Sequence, residues 1–67
     1  MPVPSLYTFH IYGAGGAPIA MQAAPFRTDA AAIEYIDRVL AEHLSAAYVL
    51  VCEAEREIAT RYRMTVA

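Results

Sequence analysis

Hydrophobic and polar side chains alternate in short stretches of the chain, which is the period-two pattern of β-strands. The first stretch, residues 6–12 (LYTFHIY), places Tyr7, Phe9 and Ile11 on one face, and we expect that face to line the core. Residues 47–53 (AYVLVCE) are instead apolar on both faces. That pattern favours a central strand, or a strand whose outer face meets another subunit.

Residues 30–44 have the longer hydrophobic period of an amphipathic helix and contain neither glycine nor proline. The apolar side chains recur there every three or four residues, at Ile33, Ile36, Leu40 and Leu44. Thr28 or Asp29 is the predicted N-cap, because a short oxygen-bearing side chain can accept a hydrogen bond from the first helical turn. Glu34 stands four residues before Arg38, so an ion pair between them is predicted.

The end of the chain predicts a last strand from residue 58 onward. Two sets of side chains alternate there, Ile58, Thr60, Tyr62, Met64 and Val66 against Glu57, Ala59, Arg61, Arg63 and Thr65. The preceding link, residues 53–56, lacks the glycine, asparagine or aspartate that a tight hairpin turn prefers. A helix over residues 54–62 therefore remains the alternative, because residues 54–57 all suit helices.

All three glycines lie between residues 13 and 16, in the stretch YGAGGAP, before a weak strand predicted over residues 19–24. We expect Pro25 to end that strand, because proline cannot donate a hydrogen bond to a sheet. A dinucleotide-binding loop would need glycine or alanine where Pro18 stands, and a P-loop would need a lysine, which the chain lacks. We therefore predict a hairpin bend in which positive φ angles are supplied by Gly13, Gly15 and Gly16.

The predicted order is strand, strand, helix, strand, strand. It gives an α+β fold of ββαββ order, in which one amphipathic helix covers a small antiparallel sheet of about four strands. Residues 1–67 are expected to form a single small domain. The opening strand YTFHIYG and the helix start PFRTDAAAIEYI resemble the short uncharacterised bacterial proteins built as hairpin, helix, hairpin. That resemblance implies this fold and no activity.

The size and composition of the chain point to self-association. A domain of this length buries only about 60% of the surface that its unfolded chain exposes. Cys52 is the only cysteine, so no disulfide can form within one chain. Hydrophobic residues make up 58% of the sequence, which is more than a small core can bury. We therefore expect a homodimer or a larger symmetric assembly, or else a different protein partner.

Net charge and the pattern of apolar runs bear on the expected partners and cellular location of the protein. The formal net charge of −2 disfavours a protein built mainly to bind nucleic acid. The first residues show no basic segment followed by a long apolar one, and no apolar run approaches the ~20 residues of a membrane helix. With a lone cysteine and no visible export signal, the expected location is the cytoplasm, without a membrane partner.

The residues that carry chemistry have simpler structural explanations. His10, His43 and Cys52 are candidate metal ligands, but no pair has the two- to four-residue spacing of a zinc site. The glutamates around the last predicted turn are typical of a solvated charged turn; they are Glu53, Glu55 and Glu57. We therefore expect no catalytic residue, no metal site and no cofactor, and a protein that is not an enzyme.

The candidate interaction surface combines large apolar strand positions with arginines. It consists of Tyr48, Leu50, Tyr62, Arg56, Arg61 and Arg63. Tyrosine is favoured in interfaces for its large rigid area and polar tip. The function expected first is a non-enzymatic interaction domain that self-associates. The alternative is a nucleic-acid-binding or antitoxin-like regulator, because arginines on a strand face can contact phosphates. Arginines on an edge strand also discourage aggregation, which is the reading we favour.

Overall fold

The computed structural model describes residues 3–63. The elements follow the predicted order: β1 (Ser5–Gly13), β2 (Pro18–Phe26), α1 (Asp29–Glu42), β3 (Ala46–Glu53) and β4 (Arg56–Tyr62). The four strands form one antiparallel sheet in the order β2-β1-β3-β4. The predicted α+β fold is therefore confirmed, and β3 is one of the two central strands.

The core lies between α1 and one face of the sheet. Tyr7, Phe9 and Ile11 of β1 are buried there, as predicted, and they pair in the sheet with residues of β3 that include Val49 and Val51. The helix contributes four buried side chains, Ala32, Ile36, Val39 and Leu40. One face of the sheet is thus covered by the helix, and the other face is not covered by any element among residues 3–63.

The helix begins where the sequence predicts and ends earlier. The Thr28 side chain accepts a hydrogen bond of 3.1 Å from the backbone N–H of Ala31, which makes Thr28 the N-cap. The helix stops at Glu42, so the prediction that Leu44 belongs to its apolar stripe is wrong: Leu44 is 84% exposed in the following loop. Residues 3–63 contain no helix with the length and hydrophobicity needed to cross a membrane.

The predicted ion pair between Glu34 and Arg38 is also wrong. The Arg38 guanidinium lies 3.7 Å from the carboxylate of Glu42, one turn further along the helix. Both side chains of this pair are well exposed, and such pairs contribute little to stability.

The glycine-rich segment is a hairpin bend. Gly15 and Gly16 have φ angles of 77° and 82°, which other residues rarely adopt. The prediction is wrong for Gly13, whose φ of −92° is extended and which ends β1. Gly13 is buried, and a Cβ there would make a van der Waals contact of 3.4 Å with a methyl group of Ile19.

Pro25 does not end the second strand. It pairs with Leu6 inside β2, which extends to Phe26. The strand tolerates this proline because β2 lies at the edge of the sheet and pairs only with β1.

The last two strands are joined by a two-residue turn, Ala54-Glu55, and the alternative helix over residues 54–62 is wrong. Ala54 has a φ of 55°, in the left-handed region where a side chain is strained. Pairing of β3 with β4 holds the turn in this conformation although no glycine or asparagine is present. Met64, Thr65 and Val66, which were also assigned to the last strand, lie outside the described residues.

The strain at Ala54 predicts a stabilising substitution. Asparagine tolerates the left-handed region better than alanine, so Ala54→Asn should raise the free energy of unfolding by about 0.5–1 kcal/mol. Ala54→Val, with a β-branched side chain, should lower it by about 1 kcal/mol. Urea unfolding followed by circular dichroism measures both effects. A loss of stability in Ala54→Asn would show that the turn is not strained.

Candidate interaction surface

The uncovered side of the sheet forms a continuous surface, which we call the open face. Strand register and side-chain alternation place on it Leu6, Thr8, His10, Tyr12, Met21, Ala23, Pro25, Tyr48, Leu50, Cys52, Thr60 and Tyr62. Among the described strand residues, the register places one charged side chain on this side, Glu57, which is opposite Cys52 at the edge strand. The open face is therefore largely apolar and carries little charge.

Three tyrosines form a ladder across the open face. Tyr12 of β1 pairs with Tyr48 of β3, and Tyr48 pairs with Tyr62 of β4. The ring centroids of Tyr12 and Tyr48 are 4.9 Å apart with planes inclined by 20°, and those of Tyr48 and Tyr62 are also 4.9 Å apart. Cross-strand aromatic pairs stabilise a sheet, and stacked rings also present a large rigid surface to a partner.

Several large apolar side chains along the open face are exposed to solvent, from Leu6 at one end of β1 to the ladder at the other. Leu6 is 62% exposed, Met21 is 68% exposed, and Tyr62 is 66% exposed. Leu50 and Cys52 are half-buried among them. Single exposed apolar residues are common on proteins, but a contiguous group on one sheet face is typical of an interaction site.

Cys52 and His10 lie on the open face, whereas His43 lies at the end of α1. Burial, and the nearby Glu57 carboxylate, raise the pKa of the Cys52 thiol, so the thiol is held in its neutral and less nucleophilic form. No group of three or more histidine, cysteine, aspartate or glutamate side chains converges as a metal site within residues 3–63.

The three predicted arginines do not share a surface with Tyr48, Leu50 and Tyr62. Arg61 pairs with Val49, whose side chain is buried in the core, so register places Arg61 on the helix side of β4. Its guanidinium contacts the carboxylate of Asp37 on α1 at 3.0 Å. Both side chains of this pair are exposed, and the contact contributes little stability.

Arg63 closes the C-terminal end of the helix. Its Nη2 donates hydrogen bonds to the carbonyl oxygens of Leu40 and His43, at 2.5 and 2.7 Å, and its Nε donates to that of Ala46 at 2.8 Å. Helix-end carbonyls have no partner within the helix and carry the negative end of the helix dipole. Arg63 is predicted from the sequence to lie on the interaction surface, but its Nε and Nη2 atoms are hydrogen-bonded within the protein.

Arg56 joins the start of α1 to the β3–β4 turn. It donates two hydrogen bonds to the carboxylate of Asp29, at 3.1 and 3.2 Å, and another to Glu53. The Tyr7 hydroxyl donates to the same Asp29 carboxylate at 2.7 Å. We call Tyr7, Asp29, Glu53 and Arg56 the carboxylate network.

The carboxylate network shifts the pKa of each of its members. Hydrogen bonds from Arg56 and Tyr7 lower the pKa of Asp29, and hydrogen bonds from Ser5 and Arg56 lower that of Glu53. The hydrogen bond to Asp29, together with burial, raises the pKa of Tyr7 to about 12. The two carboxylates raise the pKa of Arg56 as well. These groups therefore stabilise the fold rather than present free charge.

The predicted surface thus divides into two parts. Tyr48, Leu50 and Tyr62 lie together on the open face, and the three arginines lie in contacts between the sheet and the helix. Sequence reasoning missed Tyr12, Leu6 and Met21 as members of the apolar surface. Alternation along β1 placed Leu6 and Tyr12 on the outer side, but only the strand order brings Tyr12 against Tyr48.

Comparison of the chain with protein-family models, with curated proteins and with solved structures found no match. The open face is therefore the feature of the molecule that indicates a function.

Removing the Arg63 guanidinium should destabilise the protein. Arg63→Met keeps most of the apolar stem but leaves the carbonyls at the helix end without their charged donor, so the free energy of unfolding should fall by about 2 kcal/mol. Arg61→Met is the matched control, because it removes an exposed ion pair worth less than about 0.5 kcal/mol. Denaturant unfolding measures both, and equal losses would contradict the helix-closing role of Arg63.

The carboxylate network should make stability depend on pH at both extremes. Asp29 and Glu53 have lowered pKa values in the folded state, so their contribution is present above the ordinary carboxyl pKa and is lost as the pH falls through the folded values. Tyr7 has a raised pKa, so its contribution is present below pH 10 and is lost as the pH rises towards about 12.

Thermal unfolding across this pH range tests the assignment of Tyr7. Between pH 10 and 12 the wild type should lose stability as Tyr7 ionises, and Tyr7→Phe should lack this loss. Any loss of stability caused by ionisation of Cys52 should remain in the variant. Tyr62→Phe is the matched control, because it removes an exposed tyrosine hydroxyl that lies outside the carboxylate network. Identical profiles for the wild type and Tyr7→Phe would refute the assignment.

Proposed function

We propose that this protein is a small non-enzymatic interaction domain and that its binding surface is the open face. The observation that carries the proposal is the tyrosine ladder at one end of the open face, which also exposes Leu6 and Met21 and which no element among residues 3–63 covers. A largely apolar sheet face that is left in water is unusual, since stable domains bury the apolar face of a sheet against another layer of structure. An apolar partner surface would complete the packing.

The arrangement of charge favours a protein partner over nucleic acid. Phosphate binding requires arginine or lysine side chains that are free to reach the backbone, and their salt-dependent attraction dominates such affinity. Arg56 and Arg61 each contact carboxylates, and Arg63 contacts carbonyl oxygens. The nucleic-acid alternative would have to break these contacts, whereas an apolar partner would leave them in place.

The location that we propose is the cytoplasm. Cys52 is the single cysteine of the chain, is free, and lies half-buried on the surface proposed to bind a partner. A reducing compartment would keep this thiol from forming disulfides with other proteins.

Site-specific photo-crosslinking in the native host tests the proposal. p-Benzoylphenylalanine in place of Tyr62 puts the reactive group on the open face at an exposed aromatic position. The same group in place of Leu44 is the matched control, because Leu44 is exposed and lies in the loop after α1, outside the strands.

A discrete adduct from position 62 that is absent from position 44 is the expected result. No adduct at position 62, or equal yields at the two positions, would overturn the open face as the binding surface. The mass of the adduct identifies the partner as a second copy of the chain or as another protein.

A further inference from the structure

We infer that the partner of the open face is a second copy of this chain, packed sheet against sheet about a twofold axis. This inference rests on the proposed function and adds the identity of the partner. Three properties of the described residues support it: the charge of the open face, its area, and the structure of the two sheet edges.

The open face is electrostatically compatible with itself. In a twofold interface each surface meets an identical surface, so any strong charge would oppose a like charge. The described side chains at the centre of the open face are apolar or polar without a carboxylate or guanidinium. The charged Glu57 lies at the margin of the open face, on β4. Each copy carries a net charge of −2, but little of that charge lies in the contact area, so repulsion between the two faces is weak.

The area of the open face fits a dimer interface. The strands have nine, nine, eight and seven residues. With strands about 4.8 Å apart and a rise of about 3.3 Å per residue, the face measures roughly 19 by 25 Å. That is roughly 500 Å² per copy, or roughly 1,000 Å² in total before side-chain relief is added, which reaches the lower limit of about 1,000 Å² for a specific interface.

The sheet edges are poorly suited to joining two copies into one longer sheet. The β2 edge carries Pro18 and Pro25, neither of which can donate a backbone hydrogen bond. The β4 edge is interrupted by an irregularity in its pairing opposite Val51 and Cys52, and it carries the charged side chains of Arg56 and Arg61. Both features discourage pairing at an edge, so packing between faces is the arrangement that remains.

The proposed geometry places the two central strands at the middle of the interface. His10 pairs with Leu50 and Tyr12 pairs with Tyr48 across β1 and β3. Two sheets in face-to-face contact lie about 10 Å apart, with their side chains interdigitating. Each tyrosine ladder would then be covered by the other copy, and a helix would lie on the outside of each sheet.

Sedimentation equilibrium of the full chain across a dilution series tests the inference. Leu6→Glu introduces a carboxylate at an exposed position on the open face, and Leu44→Glu makes the same change in the exposed loop. The wild type should dimerise reversibly. Leu6→Glu should weaken dimerisation by roughly 10- to 100-fold, because each copy then buries an unpaired charge. Leu44→Glu should change it by less than about twofold.

Circular dichroism at low concentration controls for folding, since both substituted side chains are exposed in the isolated chain and both variants should remain folded. A wild type that is monomeric at every concentration would overturn the inference. A dimer that Leu6→Glu does not weaken would overturn it as well, because association would then use another surface.

The two proposals can fail separately. If the wild type is monomeric but position 62 still crosslinks to a different protein, the open face remains the binding surface and only the second copy is rejected. If neither association nor crosslinking occurs, the proposed function is rejected with it.

Discussion

Within residues 3–63, one α-helix of 14 residues covers a sheet of four strands. The rest of the structure depends on the fact that this helix can bury only one face of the sheet. One helix can bury one face of a sheet, because side chains of a strand point alternately to opposite sides. The core is accordingly built from Phe9, Ile11, Val49 and Val51 against Ile36 and Val39. The opposite side of the same strands carries the tyrosine ladder and remains in contact with solvent.

The charged side chains follow the same division. Arg56, Arg61 and Arg63 reach from the last strand and the residue after it towards the helix, and they contact its N-terminal residue, its middle and its C-terminal end. The cation at the helix end comes from a residue 20 positions away from His43 in sequence. The electrostatic contacts thus lie between the helix and the sheet, while the open face carries almost no charge.

The positions of the strands and the helix could be predicted from the sequence because burial of one face produces a periodic pattern of apolar side chains. Alternation predicted the inward face of β1, and a short oxygen-bearing side chain predicted an N-cap at Thr28 or Asp29. A run that is apolar on both faces favoured a central position for β3, or contact of its outer face with another subunit. The errors arose where a neighbour overrides local preference. Pro25 remains in a strand because β2 is an edge, and Ala54 holds a left-handed turn because the paired strands require it.

By itself, the sequence determined the order of the elements up to the third strand, the amphipathic helix and the shortage of core for so many apolar residues, because these follow from local propensity and composition. Only the tertiary structure decided which residues share a surface. The strand order β2-β1-β3-β4 joined Tyr12, Tyr48 and Tyr62 into one ladder. The pairing of β4 with β3 also places Arg56 and Arg61 on the helix side of the sheet. The face on which a side chain lies depends on the register between paired strands, which the sequence alone does not give.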